Sequence, residues 1–298
     1  MFVLQSAIRR TRSAAVLGVC AALCLAPVAS AQAPRQYKDL VYARIEGKPL
    51  ALDLYLPEGV TSPPLLVWVH GGAWTTGSKA GVRPVFVQNG FAVASVDFRQ
   101  STDARFPAQV HDIKAAIRYL RANASTYGYR ADKIAIAGDS SGGHLAALVG
   151  LTNGHRELEG TIGDSLNQSS SIQAIVSYYG ASDLRTILAQ STPFGLNMRR
   201  PALERLLGAL PDQAPELAAL ASPVSHVDRR DPPLLLLHGD QDPQMPINQS
   251  HELQGAYETL GLDVTFRVVH GAAHGGDMFY SPPYLKPVME FLTRTIAR

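Results

Sequence analysis

Six short apolar runs recur along this chain, at residues 65–69, 91–96, 134–137, 172–177, 234–237 and 264–269. Only the last alternates with polar residues. The other five read as strands covered on both faces, which is the pattern of a parallel sheet. Between the runs lie helical patterns. The clearest sets Val110, Ile113, Ala116, Ile117 and Leu120 on one stripe, with Asp112, Lys114, Arg118 and Arg121 outside it. Two alternating runs, 40–44 and 50–56, come first, on either side of Glu46-Gly47-Lys48-Pro49, and read as an antiparallel hairpin. The expectation is an α/β chain: a mainly parallel sheet of eight strands, opened by an antiparallel hairpin and flanked by helices. Hydrophobic residues at 46% and charged residues at 17% leave no room for a disordered or fibrous chain.

One interval breaks the rhythm. Between Tyr178 and Leu234 more than fifty residues pass without a strand signal, with helix-prone segments at 203–207 and 216–220. Pro193, Pro201, Pro211, Pro215 and Pro223 read as breaks. A connection this long is expected to be a small helical cap, about 181–233, inserted into one catalytic domain, 32–298. The polar stretch 152–171 is expected to loop out as well.

Residues 1–31 read as a signal peptide. Arg9, Arg10 and Arg12 make a basic start, 13–28 is almost wholly apolar, and Ala29-Ser30-Ala31 is a small-residue cleavage site. The apolar run is too short for a stable membrane span. Export to a periplasm or beyond is therefore expected. Removing the segment takes away three arginines and no acid, so 27 basic residues become 24 against 25 acidic, and the net charge moves from +2 to −1. A chain so balanced is no nucleic-acid binder. Both cysteines, Cys20 and Cys24, lie in the same segment, and neither has the small-residue context of a lipidation site.

The strongest chemical signal is Gly138-Asp139-Ser140-Ser141-Gly142-Gly143, set after a strand and before the helix-like 144–151. A G-x-S-x-G in that setting makes a turn too sharp for larger side chains and lifts Ser140 Oγ above the sheet. His70-Gly71-Gly72-Ala73-Trp74 follows the strand 65–69. Backbone N–H groups of Gly72 and Ala73, with that of Ser141, are the expected oxyanion donors. Ser140 needs a base oriented by a carboxylate, and two doublets offer candidates. Asp240 and Asp242 follow one strand; His270 and His274 follow the next. Asp242 is chosen because Asp240 directly follows the strand end and is placed to order the turn. His274 is chosen because His270 is still at a strand terminus, whereas a loop position reaches over the sheet edge. The chain order Ser140, Asp242, His274 is the order of the α/β-hydrolase fold.

The four segments HGGAW, GDSSGG, HGDQDPQMP and GAAHGG, in that order, resemble the α/β-hydrolase superfamily, close to hormone-sensitive-lipase-like and carbohydrate-ester esterases of the acetyl xylan or feruloyl type. The likeness covers about 40–298. It implies the α/β-hydrolase fold and places the acid at Asp242 and the base at His274, in agreement with the choices above. Ala73 departs from the family's third glycine, and Met245 stands where many members have valine.

Other residues carry weaker signals. Trp74 either walls the acyl or alcohol pocket or fills the core, and Tyr178-Tyr179, after a strand end, are candidates for the same pocket wall. Asp97-Phe98-Arg99 reads as a structural ion pair. His144 reads as packed beside its helix rather than as a second base. His251-Glu252 starts no zinc motif, since Gly255 stands where a histidine is needed, and there is no phosphate loop, so neither metal nor cofactor is expected.

The reading is an exported serine carboxylic-ester hydrolase, acting on short acyl or hydroxycinnamoyl esters of small molecules, polysaccharide or polyester. The alternatives are a serine peptidase or small amidase on the same triad and a binding protein on an inactive hydrolase fold. The peptidase alternative lacks room for a large leading domain, and the inactive fold would have lost the nucleophile or the base.

Overall fold

The computed structural model describes residues 35–298 and, before them, Phe2 alone. The expected signal-peptide features, including the cleavage motif, Cys20 and Cys24, lie outside the described residues.

β1 (Arg35–Ile45) and β2 (Lys48–Leu56) pair antiparallel, with Ile45 opposite Lys48. Their two-residue turn, Glu46 and Gly47, has φ of 49° and 81°, the left-handed pair that suits the twist of a tight hairpin. The remaining strands are β3 (Pro64–Val69), β4 (Ala92–Val96), β5 (Arg130–Asp139), β6 (Ala174–Tyr178), β7 (Leu234–Gly239) and β8 (Val264–Val269). All eight join one sheet in the order β1-β2-β4-β3-β5-β6-β7-β8, antiparallel up to the β2–β4 pair and parallel from β4 onward. β8 is the outer strand on its side, which is why its run alternates where the inner strands do not.

Successive residues of each inner strand point to opposite faces, and the core divides accordingly. Leu65, Val67, Val69, Ile134 and Ile136 serve one face; Leu66, Trp68, Ala135, Ala137 and Val176 serve the other. The helix Ala108–Ala122 covers the first face with the expected stripe, all five residues fully buried. The helix Ser141–Leu151 is buried all round, as its run of Gly, Ala and Leu allows. The helix Pro282–Leu292 packs Val288, Phe291 and Leu292 on the second face.

Asp112, Lys114 and Arg118, placed outside the stripe by the sequence, are buried. Asp112 is paired with Arg99 at 2.7 Å, and Glu159 receives Arg118 at 2.6 Å and Lys114 at 3.2 Å. Residues 152–171 are irregular apart from the helical turn Arg156–Glu159, and they bring Glu159 onto the charged side of the long helix. The interval after β6 is helical, but its prolines are not all breaks. Pro193, Pro215 and Pro223 open helices, where the missing N–H would have had no partner, and Pro201 lies inside the helix Pro193–Leu207. No helix among the described residues is long and apolar enough to cross a membrane.

Candidate active site

The chain runs from β3 to β4 on one side of the sheet and then returns to lay β5 on the other side of β3. Ligands of open α/β sheets sit outside the carboxyl ends of the strands at such a reversal. Val69 and Gly138 are opposite each other in the β3–β5 pair, so the segments leaving those two strands start side by side.

The turn after β5 is held by close approach. A Cβ on Gly138 would stand 2.3 Å from Gly142 O, and one on Gly142 would stand 2.2 Å from Val69 O. Ser140 adopts φ 54°, ψ −120°, a strained conformation for an L-residue. Its N–H donates to Tyr178 O at 2.9 Å, and its carbonyl accepts from the N–H of His144 at 3.0 Å. The cost of the strained residue is thus met by β6 and by the first turn of the following helix.

Ser140 Oγ lies 2.8 Å from His274 Nε2, and His274 Nδ1 lies 2.6 Å from Asp242 Oδ2. The other oxygen, Asp242 Oδ1, accepts from the N–H groups of Gln244 (2.8 Å) and Met245 (2.9 Å). His238 Nε2 is 3.4 Å from the same carboxylate, and that ring is fully buried between Ser250 Oγ and Met245 O. Burial alone would push the Asp242 carboxyl up. Hydrogen bonds from His238, His274 and Met245 outweigh it and hold the group well below the usual carboxylate range. Asp240 and His270 form a separate, more exposed pair at 2.9 Å, and Asp240 also accepts the N–H of Gly271, ordering the turn after β8. The structure therefore brings together Ser140, Asp242 and His274 and sets the other acid and histidine aside.

The loop after β3 passes beside this chain of hydrogen bonds. Gly71 N–H is taken by Asp139 Oδ1 at 2.7 Å. The N–H groups of Gly72, Ala73 and Ser141 make no hydrogen bond to protein among the described residues. Gly72 and Ala73 line the cleft, whereas Ser141 is buried beneath it as the first residue of its helix. Ala73 and Trp74 both have positive φ, 54° and 59°, and the loop is closed by N–H groups of Thr75 and Thr76 on Gly72 O, each at 3.0 Å.

The proposed pocket aromatics separate. Trp74 is fully buried and does not line the cleft. Its indole Nε1–H donates to His144 Nδ1 at 3.1 Å, and His144 Nε2–H donates to Ala221 O at 2.7 Å. The αL turn directs Trp74 inward, so it is core. His144 is packed beside its helix, and burial brings its pKa down to about 4. Tyr178 is also core, since residues of β6 alternate between buried faces. Tyr179, with φ 39° just past the strand, does line the cleft, its ring edge-on to that of His274 at 4.8 Å. Asp97-Phe98-Arg99 contains no ion pair of its own: Arg99 pairs with Asp112, and Asp97 Oδ1 accepts the N–H of Lys79 at 2.6 Å.

The cleft measures about 780 Å³. Sequence reasoning missed several of its walls: Asp139, Arg83, Met198, Arg199 and Gln244. Asp139 sits within the G-x-S-x-G segment and was visible there. Met198 and Arg199 come from the helix Pro193–Leu207, whose sequence carries no motif and whose placement depends on packing against the loop after β7.

The sequence profile of the BD-FAE family matches residues 52–257. The esterase LipC of Mycobacterium tuberculosis (strain ATCC 25618 / H37Rv) is 33% identical over 224 residues, 72% of this chain and 53% of LipC. The chain thus spans about half the length of the curated relatives it matches. A truncated form of a carbohydrate esterase from gut microbiota superposes with a TM-score of 0.78 at 32% identity, covering 87% of this chain and 95% of that one. The thermophilic esterase Est2 of the Planctomycetes species Thermogutta terrifontis, with propionate bound, gives 0.69 at 26% identity over 85% and 92%. With the profile spanning more than half of the sequence, this chain belongs to the BD-FAE family of α/β-hydrolase esterases.

Proposed function

We propose that this protein is an exported carboxylic-ester hydrolase in which Ser140 is the nucleophile, His274 the base and Asp242 the residue that orients it. The observation that carries the reading is the unbroken chain Asp242–His274–Ser140, at 2.6 and 2.8 Å, beside three N–H groups with no acceptor among the described residues. Ser140 Oγ attacks the ester carbonyl as His274 Nε2 takes its proton. The carbonyl oxygen becomes an oxyanion steadied by Gly72, Ala73 and Ser141 N–H, each worth about 3–4 kcal/mol by analogy with mutated oxyanion holes. His274 returns the proton to the departing alcohol. Water, deprotonated by the same imidazole, then attacks the acyl-serine and releases the acid, so the cycle needs no cofactor.

Short acyl groups suit the cleft, as does the propionate held by the Est2 relative. The likeness to a gut carbohydrate esterase supports esters carried on polysaccharide as substrates, with acetyl or hydroxycinnamoyl as the acyl groups to be tried. The test is a fluorophosphonate probe followed by a panel of p-nitrophenyl acyl esters, methyl ferulate and acetylated xylan. Adduct on Ser140 together with ester turnover supports the reading. Faster cleavage of amides than of matched esters would replace it with an amidase or peptidase, and absence of labelling on folded protein would leave a binding protein.

A further inference from the structure

The cleft carries two guanidinium groups, held in opposite ways. Arg83 is paired: its Nη2 is 2.9 Å from Asp139 Oδ2, and its head lies over the ring of Tyr280 at 5.0 Å. Arg199 is only 2% exposed although it borders the cleft. Its one hydrogen bond to protein runs from Nε–H to Gln244 O at 3.3 Å, and no carboxylate among the described residues pairs with it. The acids on this side are committed. Asp139 serves Arg83 and Gly71 N–H; Asp242 serves His274 and the N–H groups of Gln244 and Met245. Burial brings the Arg199 pKa down to about 10, so the group stays cationic at neutral pH.

Asp242 acts on Arg199 through space only; a buried cation with no direct ion-pair partner is costly, and a guanidinium offers five N–H donors in a fork that matches a carboxylate. Arg199 uses one of the five on Gln244. It is also held rigidly. Thr192 Oγ1 donates to Pro243 O at 2.8 Å and caps the helix through the N–H of Gly195, and a Cβ on Gly195 would meet Gln244 O at 3.0 Å. The helix carrying Arg199 is therefore locked to the loop carrying Asp242.

We propose that Arg199 is a carboxylate subsite of this cleft, so that the favoured esters carry a second, ionised carboxyl group on their acyl or alcohol portion. The inference rests on the ester-hydrolase reading of Ser140 and specifies its substrate class. The substrate carboxylate supplies a direct ion-pair partner and accepts from the unused guanidinium N–H groups, while Met198, next to Arg199 on the cleft wall, covers its apolar part.

Two ester pairs test it at low salt. For the acyl side, p-nitrophenyl hemiglutarate is compared with p-nitrophenyl pentanoate; for the alcohol side, 4-acetoxybenzoate with its methyl ester. In one pair the charged member should show at least a tenfold higher kcat/KM, mainly through KM. Arg199→Met should lower that charged-to-neutral ratio at least tenfold, with Arg199→Lys between them. A residue that merely anchors the helix would lower both members alike and leave the ratio unmoved. Glutarate should bind the Ser140→Ala protein in calorimetry and fail to bind the Ser140→Ala/Arg199→Met protein. An unmoved ratio in both pairs, or glutarate binding that ignores Arg199, overturns the subsite. If none of the four esters is hydrolysed, the ester-hydrolase reading falls, and the glutarate titration still decides whether Arg199 takes a carboxylate.

Discussion

The roles proposed for Ser140, Asp242 and His274 run through contacts of hydrogen-bond length, so single-atom changes should register as large changes in rate. Ser140→Ala should keep its fold and lose turnover to below about a thousandth of wild type. Asp242→Asn should cost far more than Asp240→Asn, and His274→Ala far more than His270→Ala, because Asp240 and His270 bond to each other rather than to Ser140. Equal losses within either doublet in ester assays would contradict the roles proposed. Asp242 is held well below the usual carboxylate range by its hydrogen bonds, so it stays ionised throughout the working range. His144 titrates differently. Its pKa in the folded protein is about 4, against roughly 6.5 for an unfolded histidine, so the unfolded chain binds the proton more readily between those values. Its contribution is complete above pH 6.5 and is lost as pH falls toward 4, by roughly 2 kcal/mol between pH 7.5 and 5. Urea unfolding of wild type should show at least that fall. In His144→Gln, which does not titrate there, the fall should be smaller by about that amount, the remainder belonging to other histidines whose pKa burial lowers, such as His70 and His226.

Elements meet at the site by close backbone approach, and glycines mark where. Gly142→Ala would drive its Cβ against Val69 O, a backbone atom that cannot turn away, and should lower Tm by ten degrees or more or prevent folding. Gly255 is the contrasting case. It lies inside the helix Asn248–Thr259, and nothing stands within 4 Å of an added Cβ. Gly255→Ala should therefore stabilise, by about 0.5–1 kcal/mol, since alanine loses less backbone freedom on entering a helix. A scanning calorimeter separates the two outcomes, and a destabilised Gly255→Ala would show that this helix packs more tightly than its open position implies. The same scale explains the misread charges of the helix Ala108–Ala122. A 3.6-residue stripe identifies the side that meets the sheet, but it is silent about a second layer. Glu159 arrives from a separate segment and covers Lys114 and Arg118, leaving three charged side chains buried with their partners.

At the scale of the molecule, the cleft is walled by the loop after β3, the turn after β5, the loop after β8 and one helix of the interval after β6. Much of the wall is glycine, threonine and serine, with Met198 its main long apolar side chain. A decanoyl chain would find little to bury against, and each methylene contributes about 0.8 kcal/mol only if it is buried. For uncharged esters, kcat/KM should peak between acetyl and butyryl and be at least tenfold lower for decanoyl and longer chains. A preference for palmitoyl over butyryl ester, with activation at a lipid–water interface, would show instead that the helices of 181–233 move and expose an apolar tunnel. With Trp74 and Tyr178 in the core, a hydroxycinnamoyl ring would meet only Tyr179 among the three aromatic candidates, so ferulate should gain less from the pocket than a three-ring wall would provide.

Sequence alone determined the eight strands, the opening hairpin and the residues from which the Asp242–His274–Ser140 chain is built, because these depend on short-range chemistry. Apolar runs, glycine spacing and a serine on a sharp turn are local patterns, and the order of four short segments along the chain located the rest. It also separated the members of each doublet by their distance from a strand end. Tertiary structure alone decided which side chains line the cleft. Trp74 and Tyr178 turned inward, although the residue following each of them in the chain gives no warning of it, since a positive φ at Ala73 and a pleat in β6 set their directions. Arg199 reached the cleft from a helix more than forty residues before Asp242, with no motif to announce it. A pattern repeating every two or four residues reports which side of an element is apolar. What that side faces depends on contacts between residues far apart in sequence, and those exist only once the chain has folded.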